Sequence, residues 1–465
     1  MSKVAFHTLG CKLNFAETST IGEQFLQHGF EVVDYESEAD VYVINTCTVT
    51  ENAEKDCRNI VRRALRNNPN AYVVVTGCYA QLRADEIAKI QGVDVVLGSN
   101  EKFKLFDYIN DFEKKELSCI HVSPTEELSS FHSSYSSDAD DRTRAFFKIQ
   151  DGCDYKCSFC TIPLARGKSR SANPEEVVKE FKELLKAGYK EIILTGVNVG
   201  DYESISLNLD HDFNLARKED QEHEQGQEHE KIDLYNLLKM ILKVEGDYRL
   251  RISSIEPNLL TDEILDLVAS DERMCNHFHI PLQSGSTKIL KLMQRRYKTD
   301  DYKNLILKLN KRIKNVGIGV DVIVGFPGET EDDFLDTYNF LKELPISYLH
   351  VFTYSERPDT KAIEMPGHVE ISERKRRNNM LRILSEKKRN EFYRNMIGKE
   401  LPVLFETENL NGFMKGFSSN YVRVKFPFDE KLVNQFAKIK IKEVDDNLAT
   451  GELMLVNDNI NIHAD

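Results

Sequence analysis

The chain of 465 residues has no tryptophan, only 12 prolines, and no excess of positive charge. It also lacks any uncharged apolar run near the ~18 residues that a membrane helix needs. The first residues, MSKVAFHTLG, lack the long apolar stretch of a secretory leader. These absences argue against a helical membrane protein and against export. Cysteine is present, but the count of nine is odd and does not suit a complete disulfide framework. The expectation is a cytoplasmic protein without a membrane partner, in a reducing compartment. There, clustered cysteines bind metal or do chemistry more often than they pair. The length suggests about three domains, each able to build a core without disulfides.

The net charge of −14 argues against a general nucleic-acid binder, but it is unevenly spread. Residues 201–231 hold ten Asp or Glu against three Lys or Arg, which is half of the excess. This segment reads as a solvated insertion, and its His211, His223 and His229 as part of a polar tract rather than a metal site. Basic residues gather at Arg58, Arg62, Arg63 and Arg66, at Arg295, Arg296 and Lys298, and along 373–399. Each group alone reads as a solvated helix face.

Residues 1–120 alternate strand-like runs (KVAFHTL, VYVINT, AYVVVTG, VDVVLG) with amphipathic helical ones. That pattern predicts an open parallel α/β sheet, with ligands at the carboxyl ends of its strands. Three of these runs stop at or just before a cysteine: Cys11, Cys47 and Cys78. A lone cysteine there reads as a small buried hydrophobe. Three at equivalent places point to a metal or cluster site. Residues 121–143 are rich in Ser and Asp and read as a linker. Residues 144–397 carry six further strand candidates with helical patterns between them, which suggests a partial (β/α)6 barrel; an open doubly wound sheet is the alternative. Residues 398–465 change to short strands and turns, as in a small antiparallel β-barrel. Its Phe413, Phe417, Tyr421, Phe426 and Phe428 read mainly as core, with a minority as stacking platforms for bases.

The run GCDYKCSFC follows the first strand of the second array, with Cys153, Cys157 and Cys160 spaced C-x3-C-x2-C. Three thiolates from one loop can hold three irons of a cubane cluster and leave the fourth open for a cofactor. Structural zinc wants a fourth protein ligand, and the neighbouring sequence offers none.

This loop resembles that of the radical S-adenosylmethionine (SAM) enzymes. Together with TLGCKLNFAET, INTCTVT, VVTGCYAQ, LTGVNVGDY, RISSIEP, HFHIPLQSGS, DVIVGFPGETEDDF and HVFTYSERPDTKA, in that order, the chain is similar to the methylthiotransferases. Its C-terminal part resembles a TRAM domain. The wording of the first two cysteine motifs is most similar to the branch that acts on N6-threonylcarbamoyladenosine in tRNA. The resemblance implies two [4Fe-4S] clusters: one on Cys153, Cys157 and Cys160 that binds and cleaves SAM, and an auxiliary one on Cys11, Cys47 and Cys78 that carries sulfur. It implies that Phe159 meets the SAM adenine. It also implies that Thr195, Gly196, Asn198, Ser254, Glu256, Gln283 and Phe326 line the SAM pocket. A second SAM gives the methyl group. No acid–base pair is expected as catalyst, because an aromatic C–H is too weakly acidic for that route. Partners implied are tRNA, an external low-potential electron donor and a sulfur donor; nothing demands more than a monomer. Arg166 and Arg170 are expected at the substrate entry, with pairing to local carboxylates as the alternative. Cys57, Cys119 and Cys275 lie outside both triads. Competing readings are an isopentenyladenosine-directed relative, a non-catalytic Fe–S RNA-binding protein, and a zinc-stabilised one.

Overall fold

The computed structural model describes residues 1–48, 53–109, 111–114, 117–136, 143–205, 231–445 and 447–454. Most of the acidic insertion, 206–230, lies outside the described residues, and so do its three histidines.

The first unit is a six-stranded parallel sheet of β1 (Lys3–Thr8), β2 (Glu31–Val33), β3 (Val41–Thr46), β4 (Tyr72–Gly77), β5 (Val95–Leu97) and β6 (Cys119–His121). Its order is β2-β1-β3-β4-β5-β6. Helices cover both faces, so β3 and β4 bury all six of their residues, which is why they read as unbroken apolar runs. Register sets the site. Thr8 lies opposite Asn45, and Asn45 opposite Thr76. The three strands therefore end level, and the chain leaves each toward Cys11, Cys47 and Cys78 at one edge.

The second unit opens with β7 (Ser134–Tyr135), which pairs antiparallel with β8 (Arg144–Lys148). The end of the segment read as a linker thus adds an edge strand to this sheet. A short antiparallel pair, β9 (Gln150–Asp151) with β10 (Arg170–Ser171), closes the base of the cysteine loop. The parallel series continues with β11 (Glu191–Thr195). Next, β12 (Glu203–Ile205) and β13 (Lys231–Asp233) form a ribbon that ties together the two ends of the acidic insertion. Then come β14 (Arg249–Ile252), β15 (His277–His279), β16 (Gly317–Val324) and β17 (Tyr348–Thr353). Strands β8, β11 and β14 share one sheet and β15, β16 and β17 another. Parallel bridges at Leu250–Met274 and Ser254–His279 join them into an open six-stranded barrel. The helix Pro174–Lys186 has the boundaries its sequence predicts: Asn173 accepts hydrogen bonds from Glu175 N and Glu176 N, and Gly188 takes φ +96° past its end.

The third unit is a closed barrel of β18 (Glu400–Phe405), β19 (Phe413–Ser418), β20 (Arg423–Pro427), β21 (Phe436–Asp445) and β22 (Leu448–Leu453). Its neighbours pair antiparallel except at the closure, where β20 meets β22 in parallel. Phe426 and Phe428 pack on its core, while Phe413 is exposed under Lys425. Phe417 and Tyr421 stack at 4.6 Å, and Tyr421 stacks on His277 of the second unit at the same distance. Arg249 and Arg251, paired with Glu191, donate to Phe417 O and Ser419 O across that joint. The small barrel therefore seals the amino-terminal end of the larger one.

The basic run 373–399 forms the helix Ile371–Arg394. Arg374 and Arg377 are buried, and bind Glu356 and Glu329. That part of the run anchors the barrel edge rather than lying solvated.

Candidate active site

The three strand-end loops of the first unit are tied by side chains. Asn14 Nδ2 donates to Leu9 O at 2.7 Å and to Thr46 O at 3.1 Å, which joins the Cys11 and Cys47 loops. Thr46 Oγ1 donates to Thr76 O at 2.5 Å and accepts from Ala80 N at 3.3 Å, which joins the Cys47 and Cys78 loops. Gly10 takes φ +105°, and a Cβ there would fall 2.7 Å from Cys47 Sγ, so only glycine lets the two loops meet.

The second triad sits on the loop above β8. Cys153 N donates to Gly167 O at 3.1 Å, and Ser158 Oγ to Leu292 O at 2.8 Å, so the loop is held at both ends. Thr48 Oγ1 and Thr161 Oγ1 lie 3.2 Å apart. They follow Cys47 and Cys160 directly, so the two triads face each other across a hydrogen bond. Among the described residues no three Cys, His, Asp or Glu groups converge as ligands of a single ion. Thiols that each serve a different iron of one cluster need not converge in that way.

Charge supports cluster binding on both sides. Arg166 Nε donates to Cys78 Sγ at 3.2 Å, and its guanidinium also binds Glu17 at 2.9 Å, Asp151 at 3.0 Å and Asn14 at 2.7 Å. Lys102 and Lys148 complete this buried group through Glu17. Three buried cations face two carboxylates, so a positive charge remains in excess beside Cys78. A thiolate ligand is the group that offsets it. Burial raises the Cys78 thiol and Arg166 pulls it down. Burial likewise pushes Cys153 up to about 12 and Cys160 to about 11, so without iron these sulfurs are neutral thiols, and a bound iron would have to displace their protons. Arg295 Nη1 donates to Cys157 Sγ at 3.0 Å while pairing with Glu256. The Arg295 side chain is buried, which reading it as part of a solvated charge run does not anticipate, because nothing in its local sequence says that it folds back onto a loop more than a hundred residues earlier. Arg296 stacks over Tyr155 at 3.7 Å in the same loop.

The expectation that Arg166 and Arg170 face the substrate entry gives way to the alternative. Arg166 is buried among the partners just named, and Arg170 donates to Asp151 at 3.1 Å and to Ser130 O at 2.9 Å. Carboxylates buried this deeply claim the nearest guanidinium groups. Of the other predicted residues, Thr195, Gly196 and Ser254 line a cavity of about 470 Å³ inside the barrel, together with Cys11. Thr195 Oγ1 is buried there and has no hydrogen-bond partner among the described residues. Asn198 accepts from Glu256 N at 3.3 Å, just outside that cavity. Phe159 meets Phe326 edge to face at 6.3 Å. Gln283 holds φ +68°, pinned by Asp321 O and Ile323 N. Cys57 and Cys275 are core residues, and Cys119 packs beside the core of the first unit.

The cavity holds an arrangement that no local motif announced. Ser254 Oγ lies 2.7 Å from His279 Nδ1, and His279 Nε2 lies 2.7 Å from Asp321 Oδ1. Three separate strands supply it. Lys12 also opens on the cavity, beside Phe146 of the barrel wall. Its side chain is exposed to the cavity, and desolvation by the surrounding walls, then Arg251 and Arg144, lower its ammonium to about 8.

Three stretches match known families. Residues 147–341 match the Radical SAM superfamily, residues 3–98 the Uncharacterized protein family UPF0004, and residues 394–454 the TRAM domain. The chain is 40% identical to the threonylcarbamoyladenosine tRNA methylthiotransferase MtaB of Bacillus subtilis, over 100% of this chain and 99% of that one. It is 39% identical to the protein of the same name from Aquifex aeolicus, over 91% and 96%. A tRNA-2-methylthio-N(6)-dimethylallyladenosine synthase of Clostridium botulinum is 32% identical, over 96% and 95%. Among solved structures, the radical SAM methyltransferase TsrM of Kitasatospora setae shares the fold, with a TM-score of 0.55 and 17% identity over 78% of this chain and 77% of that one. Membership of the superfamily implies a [4Fe-4S] cluster and SAM. No helix among the described residues is long and apolar enough to cross a membrane. The chain belongs to the radical SAM methylthiotransferases, close to the threonylcarbamoyladenosine tRNA methylthiotransferases named MtaB.

Proposed function

We propose that this chain inserts a methylthio group at C2 of N6-threonylcarbamoyladenosine beside the tRNA anticodon, using two [4Fe-4S] clusters. One observation carries the reading: two cysteine triads, from two different sheets, face each other through Thr48 and Thr161. Cys153, Cys157 and Cys160 would hold the cluster that binds SAM, and Cys11, Cys47 and Cys78 the auxiliary one. When bound, these groups supply a carbon radical that can remove an aromatic hydrogen and a sulfur source to replace it.

The residues of the chain position and shield. Arg166 and Arg295 place fixed positive charge against one cysteine of each triad. Thr195, Gly196 and Ser254 line the cavity in which SAM, with the reacting carbon beside it, would be held. Asn198, Glu256, Phe159 and Phe326, which the resemblance also assigns to SAM, stand outside that lining, Asn198 joined to Glu256 and Phe159 packed edge to face on Phe326. The TRAM-like barrel adds surface for the tRNA. An external electron donor and a sulfur donor belong to the same reading, as do a monomer and a cytoplasmic setting where tRNA is found. The domain boundaries 1–120, 144–397 and 398–465 serve it as cluster unit, radical unit and RNA unit.

The test is an anaerobic reaction of reconstituted protein with SAM, a low-potential reductant, sulfide and tRNA bearing threonylcarbamoyladenosine, read by nucleoside mass spectrometry. A methylthio product that disappears in Cys157→Ala is expected. Formation of 5′-deoxyadenosine without that product would shift the substrate to an isopentenyladenosine or another base. Neither product, with both clusters intact, would leave an Fe–S RNA-binding protein.

A further inference from the structure

The barrel cavity contains an imbalance of charge. Its cationic lining residues are Lys12, Arg144 and Arg251, and its one carboxylate is Asp321. Two of the cations are already committed: Arg144 donates to Glu406 at 2.8 Å, and Arg251 to Glu191 at 2.7 Å. Asp321 is taken by His279. Among the described residues Lys12 has no hydrogen bond and no ion pair; its ammonium lies 5.4 Å from the centre of the Phe146 ring. It comes from the loop of Cys11 and stays exposed on the cavity wall, within reach of whatever enters. A ligand that fills the cavity takes water from this ammonium, which is costly unless the ligand brings an acceptor.

We infer that Lys12 is the specificity residue that takes the carboxylate carried on the N6 substituent of the target adenosine. The inference rests on the function proposed above, and goes further by naming the group that reads the substrate. A cavity of about 470 Å³ whose wall includes residues expected to meet SAM admits at most a base drawn out of its strand, and not a stretch of folded RNA. The threonylcarbamoyl group ends in a carboxylate, whereas an isopentenyl group is apolar. The former brings the acceptor that the Lys12 ammonium lacks; the latter would cover the ammonium with apolar surface and strip its water without replacing it. That asymmetry gives strong discrimination, because a site built for a charged partner penalises the analogue that lacks it.

The experiment measures binding by the full-length, cluster-loaded protein, without turnover. Three anticodon stem-loop RNAs are compared at one salt concentration: one with threonylcarbamoyladenosine, one with its neutral methyl ester, and one with isopentenyladenosine. The wild-type chain is expected to favour the free carboxylate over the ester by about tenfold or more. Lys12→Gln should abolish that ratio while binding the ester as before, and Lys12→Arg should retain it. A carboxylate preference that survives in Lys12→Gln overturns the assignment, and so does an equal loss for acid and ester. If the wild type favours threonylcarbamoyladenosine over isopentenyladenosine but ignores the ester change, this inference alone fails. If it favours isopentenyladenosine, the proposed substrate fails as well.

Discussion

Arg166 donates to a thiol, two carboxylates and an amide at once, in a place that water does not reach. Desolvating such a group costs several kcal/mol per charge, so the network positions loops more than it stabilises them. Removing one member is a different matter. Arg166→Ala leaves Glu17 and Asp151 short of a partner, and should lower stability by about 3–5 kcal/mol in urea denaturation. Arg166→Lys keeps the charge but not the fork, and should fall between. Gly10 makes the opposite kind of contribution, by having no side chain. Gly10→Ala places a methyl group on Cys47. Iron and sulfide per chain should drop to about half in reconstituted protein, since only the Cys153 loop remains intact. Unchanged iron content would remove the first triad from the site.

At the level of elements, function is placed by where strands stop. Level ends of β1, β3 and β4 bring three cysteines to one edge, and a one-residue slip would turn every buried side chain of a strand to the wrong face. The acidic insertion is the opposite case, an addition that the ladder tolerates. Its ends are fixed by the Ile205–Lys231 pair. Replacing residues 206–230 with a short turn should leave cluster content unchanged and raise stability by about 1–2 kcal/mol, through the smaller entropy of closing the loop. A lower melting temperature would show that the insertion packs on the rest of the chain.

For the whole molecule, the joint between the first two units is a polar one, and it responds to acid. His132 sits beside Phe103 at 4.9 Å. Burial, then Lys148, Lys104, Lys102 and Arg170, lower its pKa from 6.5 to about 4. The folded protein thus holds it neutral where the unfolded chain would bind a proton. Its contribution is complete above pH 6.5 and is lost as the pH falls toward 4. After allowance for solvent around a half-buried ring, the loss is on the order of 1 kcal/mol. Glu17 behaves differently: burial opposes its charge, but Arg166, Lys102 and Lys148 outweigh that and hold it well below the usual range. Its contribution persists until the pH drops through the carboxylate range. Urea midpoints at pH 7 and pH 5 should therefore differ in the wild type, and differ less in His132→Gln.

Much of this molecule is legible along the chain. Period-two and unbroken apolar runs announce strands, the C-x3-C-x2-C spacing announces the radical SAM loop, and cysteines at strand ends suggest the second site proposed above, because each of these signals is local. Six parallel strands in the second unit and a small barrel at the end follow from the same patterns. Other features are decided only by folding. Arg166 could have faced solvent; burial beside Glu17 and Asp151 claimed it instead. Arg295 reads as part of a charge run until the barrel returns it to Cys157. Ser254, His279 and Asp321 come from three strands, and Lys12 from another unit altogether. Such contacts join residues far apart in sequence, and their partners are chosen by the cost of leaving a charge buried alone, a quantity that exists only once the chain has excluded water.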